Sequence, residues 1–329
     1  TTEIYTLSLH DALPICRLNY ISVIMRDSHQ NHHMKIRLLS ILLPALFLVN
    51  CSVKHLQRAG AVNPTDFNTK VYFETFKGVI ALDLSINGRV RKFLFDTGAD
   101  LTVIQRDSIS GKTYNVSGAS KRKMELGREI VTSMRIGSID FQNTYALNGD
   151  LSGLKEQIPA FGGLLGQSII GKANWLIDYP GKYITISNSN LADNTFKPIR
   201  IRRENGNNPY TFLTYDGIEY KVVIDMGSSS VLNLPDDSRF AKDVAQKIKL
   251  SENTRDRYTL GGIQMVTEKV GVIPELKLGE FTFKNVDFNI NTSSQPRIGI
   301  RFFQEYLIYI DNSNGGGYRL KRSVTTAAP

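Results

Sequence analysis

The sequence predicts an all-β protein of two similar barrel-like lobes with few short helices. Three observations lead there. Beyond residue 70, short apolar runs dominate, several of them alternating with period two. The same landmark residues recur in the same order in both halves. Helical patterning is convincing only at 238–250 (SRFAKDVAQKIKL). The chain has 329 residues, 41% of them hydrophobic, which is enough to fill two lobes.

Taken from the N-terminus, the first fifty residues are not expected to belong to the fold. Residues 1–15 (TTEIYTLSLHDALPI) read as translated sequencing adapter, and 1–33 as an adapter-derived or upstream segment. Met34 is the expected start. Lys35 and Arg37 precede the apolar run LLSILLPALFLV, which has the length of a signal-peptide core and is too short to span a bilayer comfortably. The run ends at Leu48-Val49-Asn50-Cys51, which resembles the lipobox of bacterial lipoproteins. That resemblance implies acylation of Cys51, a signal peptide over 34–51 and a lipid anchor at a membrane of the bacterial cell envelope, on its periplasmic or outer-membrane side. The other reading is a secretory signal with an incidental cysteine. Residues 52–69 are polar, with little periodicity, and read as a tether.

Lobe one is expected over 70–195 and lobe two over 196–323, with 324–329 as a tail. In lobe one, Val79–Ile86 alternates as a strand, Asn87-Gly88 is a two-residue hairpin signal, and Val90–Phe95 returns directly into Asp96. In lobe two, a strand over 211–215 meets Asp216-Gly217, and Ile218–Ile224 returns into Asp225. Eight residues separate glycine from aspartate in both copies. Downstream, Leu165-Gly166 and Ile298-Gly299 recur 70 and 74 residues after their aspartates, each followed twelve residues on by an Ile-Asp pair. Several landmarks in one order indicate a duplicated unit.

The chemistry is bounded by what the chain lacks. Its two cysteines are Cys16 and Cys51, and the only histidine after Cys51 is His55. Cysteine nucleophiles, Ser-His pairs and histidine-rich zinc sites are therefore excluded from the lobes. The net charge of +9 is spread out, and its denser clusters (Lys121-Arg122-Lys123; Lys197, Arg200, Arg202, Arg203) lack interleaved aromatics, so no nucleic-acid partner is expected. What remains are two aspartates, each delivered by an apolar strand into a glycine turn: Phe93-Leu94-Phe95-Asp96-Thr97-Gly98-Ala99-Asp100 and Val222-Val223-Ile224-Asp225-Met226-Gly227-Ser228. An ionisable residue at the end of a buried strand is costly unless it is hydrogen-bonded or used. A calcium loop around Asp96 and Asp100 has too few oxygen ligands at the right spacing.

These two motifs resemble aspartic peptidases. The first is similar to retroviral-type enzymes and the second, with Gly-Ser-Ser, to pepsin-like ones, over about 75–323. The resemblance implies one catalytic aspartate per lobe, Asp96 and Asp225, in a single chain competent as a monomer, acting on a peptide or protein without metal or cofactor. It further implies that Thr97 bonds across to the other lobe, that Gly98 and Gly227 offer N–H groups to the carboxylates, that Ser228 is the small residue after the turn, and that Gly166 and Gly299 let a crossing strand pass beneath. A flap is expected at Tyr114–Gly118, with Tyr258–Gly262 as its counterpart; an ordinary hairpin tip is the alternative for either. Met226, where the family has Thr or Ser, and Arg297, where an apolar residue is expected, depart from the pattern. Two functions follow: an anchored aspartic endopeptidase, or a catalytically weak or inactive relative that binds peptides or protein partners.

Overall fold

The computed structural model describes residues 3–4, 52–117, 123–203, 208–259, 262–313 and 317–323. The described chain is mostly β-strand, with short helices only. Both predicted hairpin turns form as the dipeptides require: Asn87 and Gly88 have φ of 47° and 82°, Asp216 and Gly217 of 50° and 77°. The predicted helix is shorter than its pattern, Arg239–Ala245, capped by the Ser238 hydroxyl accepting from the Ala241 N–H at 3.1 Å.

The duplication read from spacing is a duplication of topology. In lobe one the strands follow the order Ile139–Gly149, Thr102–Gln105, Phe161–Leu165, Arg89–Phe95, Val79–Ile86, Lys123–Ile136, and the last pairs back with the first to close a barrel. In lobe two the order is Phe281–Asn291, Leu232–Pro235, Arg297–Ile298, Ile218–Ile224, Pro209–Tyr215, Gly262–Leu278. There Gly262–Leu278 pairs directly with Phe281–Asn291, closing the barrel in the same way. The parallel pairings also match: the strand entering each aspartate runs parallel to the strand ending at Leu165 or Ile298.

A six-stranded sheet joins the lobes. At its centre Asn174–Asp178 pairs antiparallel with Tyr306–Asp311, placing Trp175 opposite Ile310 and Ile177 opposite Ile308. These are the two Ile-Asp landmarks, brought side by side by the pseudo-symmetry. One apolar core runs from both barrels into this sheet. A second cluster belongs to lobe one and includes Leu94, Val103, Leu126, Leu147 and Leu164.

The stretch 52–69 is not a tether. Ser52–Arg58 is a helix whose Leu56 is buried in the lobe-one cluster, and Gln57 Nε2 donates to the Asp100 carbonyl at 2.9 Å. Ala61–Asn63 then pairs with Ile139–Gly149, and Asn68–Tyr72 lies at the edge of the shared sheet. Leu56, Phe67, the Gln57 bond and backbone pairing dock this segment, and apolar anchors this far apart leave no period in the sequence. Among the described residues, no helix is long and apolar enough to cross a membrane. Cys51 and the apolar run before it lie outside the described residues.

Candidate active site

Each aspartate is held by the strand that delivers it. Phe93, Leu94 and Phe95 are fully buried, as is Ile224, with Val222 and Val223 nearly so. Burial of each such side chain contributes roughly 2 kcal/mol. Phe95 also packs edge-on against Trp175, ring centroids 5.3 Å apart. The chain then turns sharply. Asp96 Oδ1 accepts the Gly98 N–H at 2.8 Å, and Asp225 Oδ1 accepts the Gly227 N–H at 3.1 Å.

The crossing strands explain two more glycines. A Cβ on Gly166 would lie 2.4 Å from the Leu101 carbonyl oxygen; one on Gly299 would lie 2.2 Å from that of Ser230 and 2.3 Å from that of Ser228. No side chain fits at either position. Gln167 N–H donates to the Ala99 carbonyl at 2.9 Å, and Ile300 N–H to the Ser228 carbonyl at 3.3 Å. Ser228 thus stands where lobe one has Ala99, and its hydroxyl accepts the Ser230 N–H at 3.4 Å.

The lobes interlock through Thr97. Its hydroxyl donates to the Ile224 carbonyl at 2.9 Å and accepts the Met226 N–H at 3.0 Å. Met226 supplies no reciprocal hydroxyl. Its side chain is fully buried in the core shared by the lobes, so apolar packing stands in for the second hydrogen bond.

This scaffold brings the Asp96 and Asp225 carboxyl groups within hydrogen-bonding reach of each other, with neither residue exposed. Asp96 Oδ2 has no N–H or O–H donor among the described residues. Burial, and then the adjacent Asp225 charge, push the Asp96 carboxyl well above the usual carboxylate range, against the smaller pull of the Gly98 N–H and Arg297. Two buried carboxyls in contact cannot both ionise, so they titrate as a pair around one shared proton.

Arg297 makes the two carboxyls unequal. Its Nη1 donates to Asp225 Oδ2 at 3.0 Å, both side chains being fully buried, and its Nη2 donates to the Ser294 hydroxyl at 3.2 Å. The guanidinium favours the ionised form of Asp225 and leaves the proton on Asp96. In the sequence Arg297 reads as a misfit, because an arginine interrupts an apolar strand. The acid it answers lies 72 residues earlier, a pairing that only the fold displays.

The flap candidates are not equivalent. Tyr114 is half-buried opposite Leu126, and Gly118 lies outside the described residues. Tyr258 lies opposite Ile263 on a longer hairpin, formed by Ser251–Thr259 and Gly262–Leu278. By ladder register the partner of Tyr114 in lobe two is Asn253, not Tyr258: Leu126 and Glu268 occupy matching places, and Glu268 pairs with Asn253. The lobe-two hairpin reaches across to lobe one. Tyr258 is buried in the lobe-one cluster with the Lys77 ammonium 3.5 Å from its ring centre, and Gly262 lies so close to Gly153 that a Cβ there would come within 2.7 Å of the Gly262 Cα. Tyr258 and Gly262 thus rest this end of the hairpin on lobe one.

Asp100 of the first motif is also buried, with one carboxyl oxygen lacking a partner, and burial raises it well above the usual range. No known family model matches the chain, and no curated protein matches it in sequence.

Proposed function

We propose that the chain is a membrane-anchored aspartic endopeptidase whose general acid is Asp96 and whose general base is Asp225. One observation carries the reading: two carboxyls from opposite lobes meet in a buried site, each with a turn N–H, one favoured as acid and the other as carboxylate. Asp225 removes a proton from a water molecule as its oxygen adds to the peptide carbonyl carbon. Asp96 gives its proton to the carbonyl oxygen, producing a tetrahedral diol. On collapse the C–N bond breaks, the proton held by Asp225 passes to the leaving nitrogen, and Asp96 recovers one from a diol hydroxyl. Neither aspartate is exposed, so substrate entry requires a movement that opens the site.

The test is incubation of the chain with a denatured protein mixture between about pH 3 and pH 7. Cleavage that disappears in both Asp96→Asn and Asp225→Asn supports the enzyme. The Arg297–Asp225 ion pair favours a second reading, a binding protein that keeps the fold with a quenched base. No turnover by wild type at any pH, together with peptide binding, selects that reading. The apolar run ending at Cys51 supports a lipid anchor at a membrane of the cell envelope. Replacing Cys51 with Ala should release the protein from the membrane fraction; retention there refutes the anchor.

A further inference from the structure

Five pairs of register-equivalent positions line the two barrels beside the aspartates. Lobe one carries Val103, Val116, Leu126, Leu147 and Leu164, all buried in one apolar cluster. At the matching places lobe two carries Asn233, Arg255, Glu268, Asn289 and Arg297, equally buried. Each replacement exchanges an apolar group for a polar or charged one. The lobe-two side chains are organised: Arg255 Nη2, Asn289 Nδ2 and Asn291 Nδ2 all donate to Glu268 Oε2, at 2.8, 2.9 and 3.0 Å. Three donors from three strand positions thereby converge on one Glu268 oxygen within the barrel.

Arg297 differs from the rest because it reaches the reacting carboxyl. Nη1 holds Asp225 and Nη2 holds Ser294, while Nε is fully buried with no acceptor among the described residues. A buried guanidinium N–H without an acceptor is costly, and a carboxylate is the group whose geometry suits it best. At the equivalent position lobe one has Leu164, paired with Leu94 in the ladder and buried in the same apolar cluster as Tyr258. A peptide drawn across the aspartates would meet apolar walls over lobe one and a guanidinium over lobe two.

We infer that Arg297 is the specificity-determining residue of this site, selecting peptides that place a Glu or Asp side chain over lobe two and an apolar one over lobe one. The inference rests on the endopeptidase reading for its substrate but not for its recognition chemistry. An incoming carboxylate would take the Nε edge of Arg297 and share the guanidinium with Asp225. That loosens the hold on the base only when the correct substrate is present.

The experiment digests a synthetic peptide library with the chain and reads the cleavage sites by mass spectrometry. Wild type should favour Glu over Gln at one position next to the scissile bond by about tenfold or more, with apolar residues preferred on the other side of the bond. Arg297→Leu, which installs the lobe-one residue, should lose that preference and accept Leu there, and its activity profile should move to higher pH. Arg297→Lys should keep a reduced preference for acid and guards against a misfolded leucine variant. Cleavage by wild type without acid preference, or acid preference surviving in Arg297→Leu, overturns the inference while leaving the endopeptidase standing. If nothing is cleaved, the same peptides are titrated onto wild type by fluorescence anisotropy. Glu-selective binding lost in Arg297→Leu then refutes the endopeptidase and keeps this inference; binding indifferent to Glu, or none, overturns it.

Discussion

The two lobes share a topology and differ in what they enclose. Lobe one fills its barrel beside the aspartates with aliphatic side chains, and lobe two fills the matching places with a hydrogen-bonded polar network. The backbone order, the parallel pairings and the two forbidden Cβ positions are the same in both. The difference teaches that the unit is specified by its turns, its glycine crossings and the apolar strands entering each aspartate, while the barrel lining is free to change in kind. It also gives the carboxyls different surroundings: burial and Asp225 push Asp96 toward its neutral form, and Arg297 favours the charged form of Asp225. The largest expected effect breaks that division of labour. Asp96→Asn and Asp225→Asn should each lower peptide cleavage by about a thousandfold, measured as kcat/KM on a denatured protein. A variant that keeps a tenth of the activity removes its residue from the chemistry.

Next in size is the network. Glu268→Leu leaves the Arg255 guanidinium buried without its carboxylate, and should cost about 3–5 kcal/mol in urea unfolding. The double variant Arg255→Val/Glu268→Leu installs the lobe-one residues at both places and should recover a large part of that loss, because apolar pairs replace buried ion pairs at little cost. Asn289 and Asn291, which also donate to Glu268, keep the recovery incomplete. A double variant no better than the single would mean that the polar lining is obligatory for the lobe-two barrel.

The interlock is smaller still. Thr97→Val removes two hydrogen bonds that Met226 does not duplicate, and should cost about 1–3 kcal/mol. Met226→Leu preserves the buried apolar volume and should cost less than about 1.5 kcal/mol. Equal losses would show that the threonine contributes through packing alone.

Much of this molecule is legible in its sequence because punctuation is local. Asn87-Gly88 and Asp216-Gly217 announce their turns, and the glycines at 166 and 299 keep their distance from the aspartates because a close strand crossing admits nothing larger. The polar lining is less legible. Asn289 and Asn291 alternate along their strand as solvent-facing residues would, and only barrel closure turns them inward. Arg297 is conspicuous as a departure from pattern, yet its meaning depends on a partner far away in sequence. The helix at 52–58 and the unequal tyrosines were hidden for a related reason, since docking by isolated side chains such as Leu56 and Gln57 and ladder register between distant strands leave no mark on the residues nearby.

The last contrast concerns Asp100, whose place after the turn is taken in lobe two by Ser229, a residue that does not titrate. Burial holds the Asp100 carboxyl well above its ordinary range, so the folded protein keeps that proton at pH values where the unfolded chain has released it. The folded state then binds more protons than the unfolded one, and stability falls as pH rises. The sign is fixed by the direction of the shift: Asp100 imposes no penalty below the unfolded carboxyl value of about 4. The penalty grows through the raised folded value and then levels off. Its steepest slope is about 1.4 kcal/mol per pH unit. Asp100→Asn keeps the shape of the side chain and cannot ionise. Urea midpoints followed from about pH 4 to pH 8 should therefore decline less steeply in that variant than in wild type, with the two curves meeting at the acid end. Asp96, which is shifted the same way by burial and by Asp225, contributes a decline of its own in both proteins and cancels in the difference. Parallel curves would mean that the carboxyl finds water or a partner in solution and that lobe one carries no unpaired acid behind its Asp96 turn.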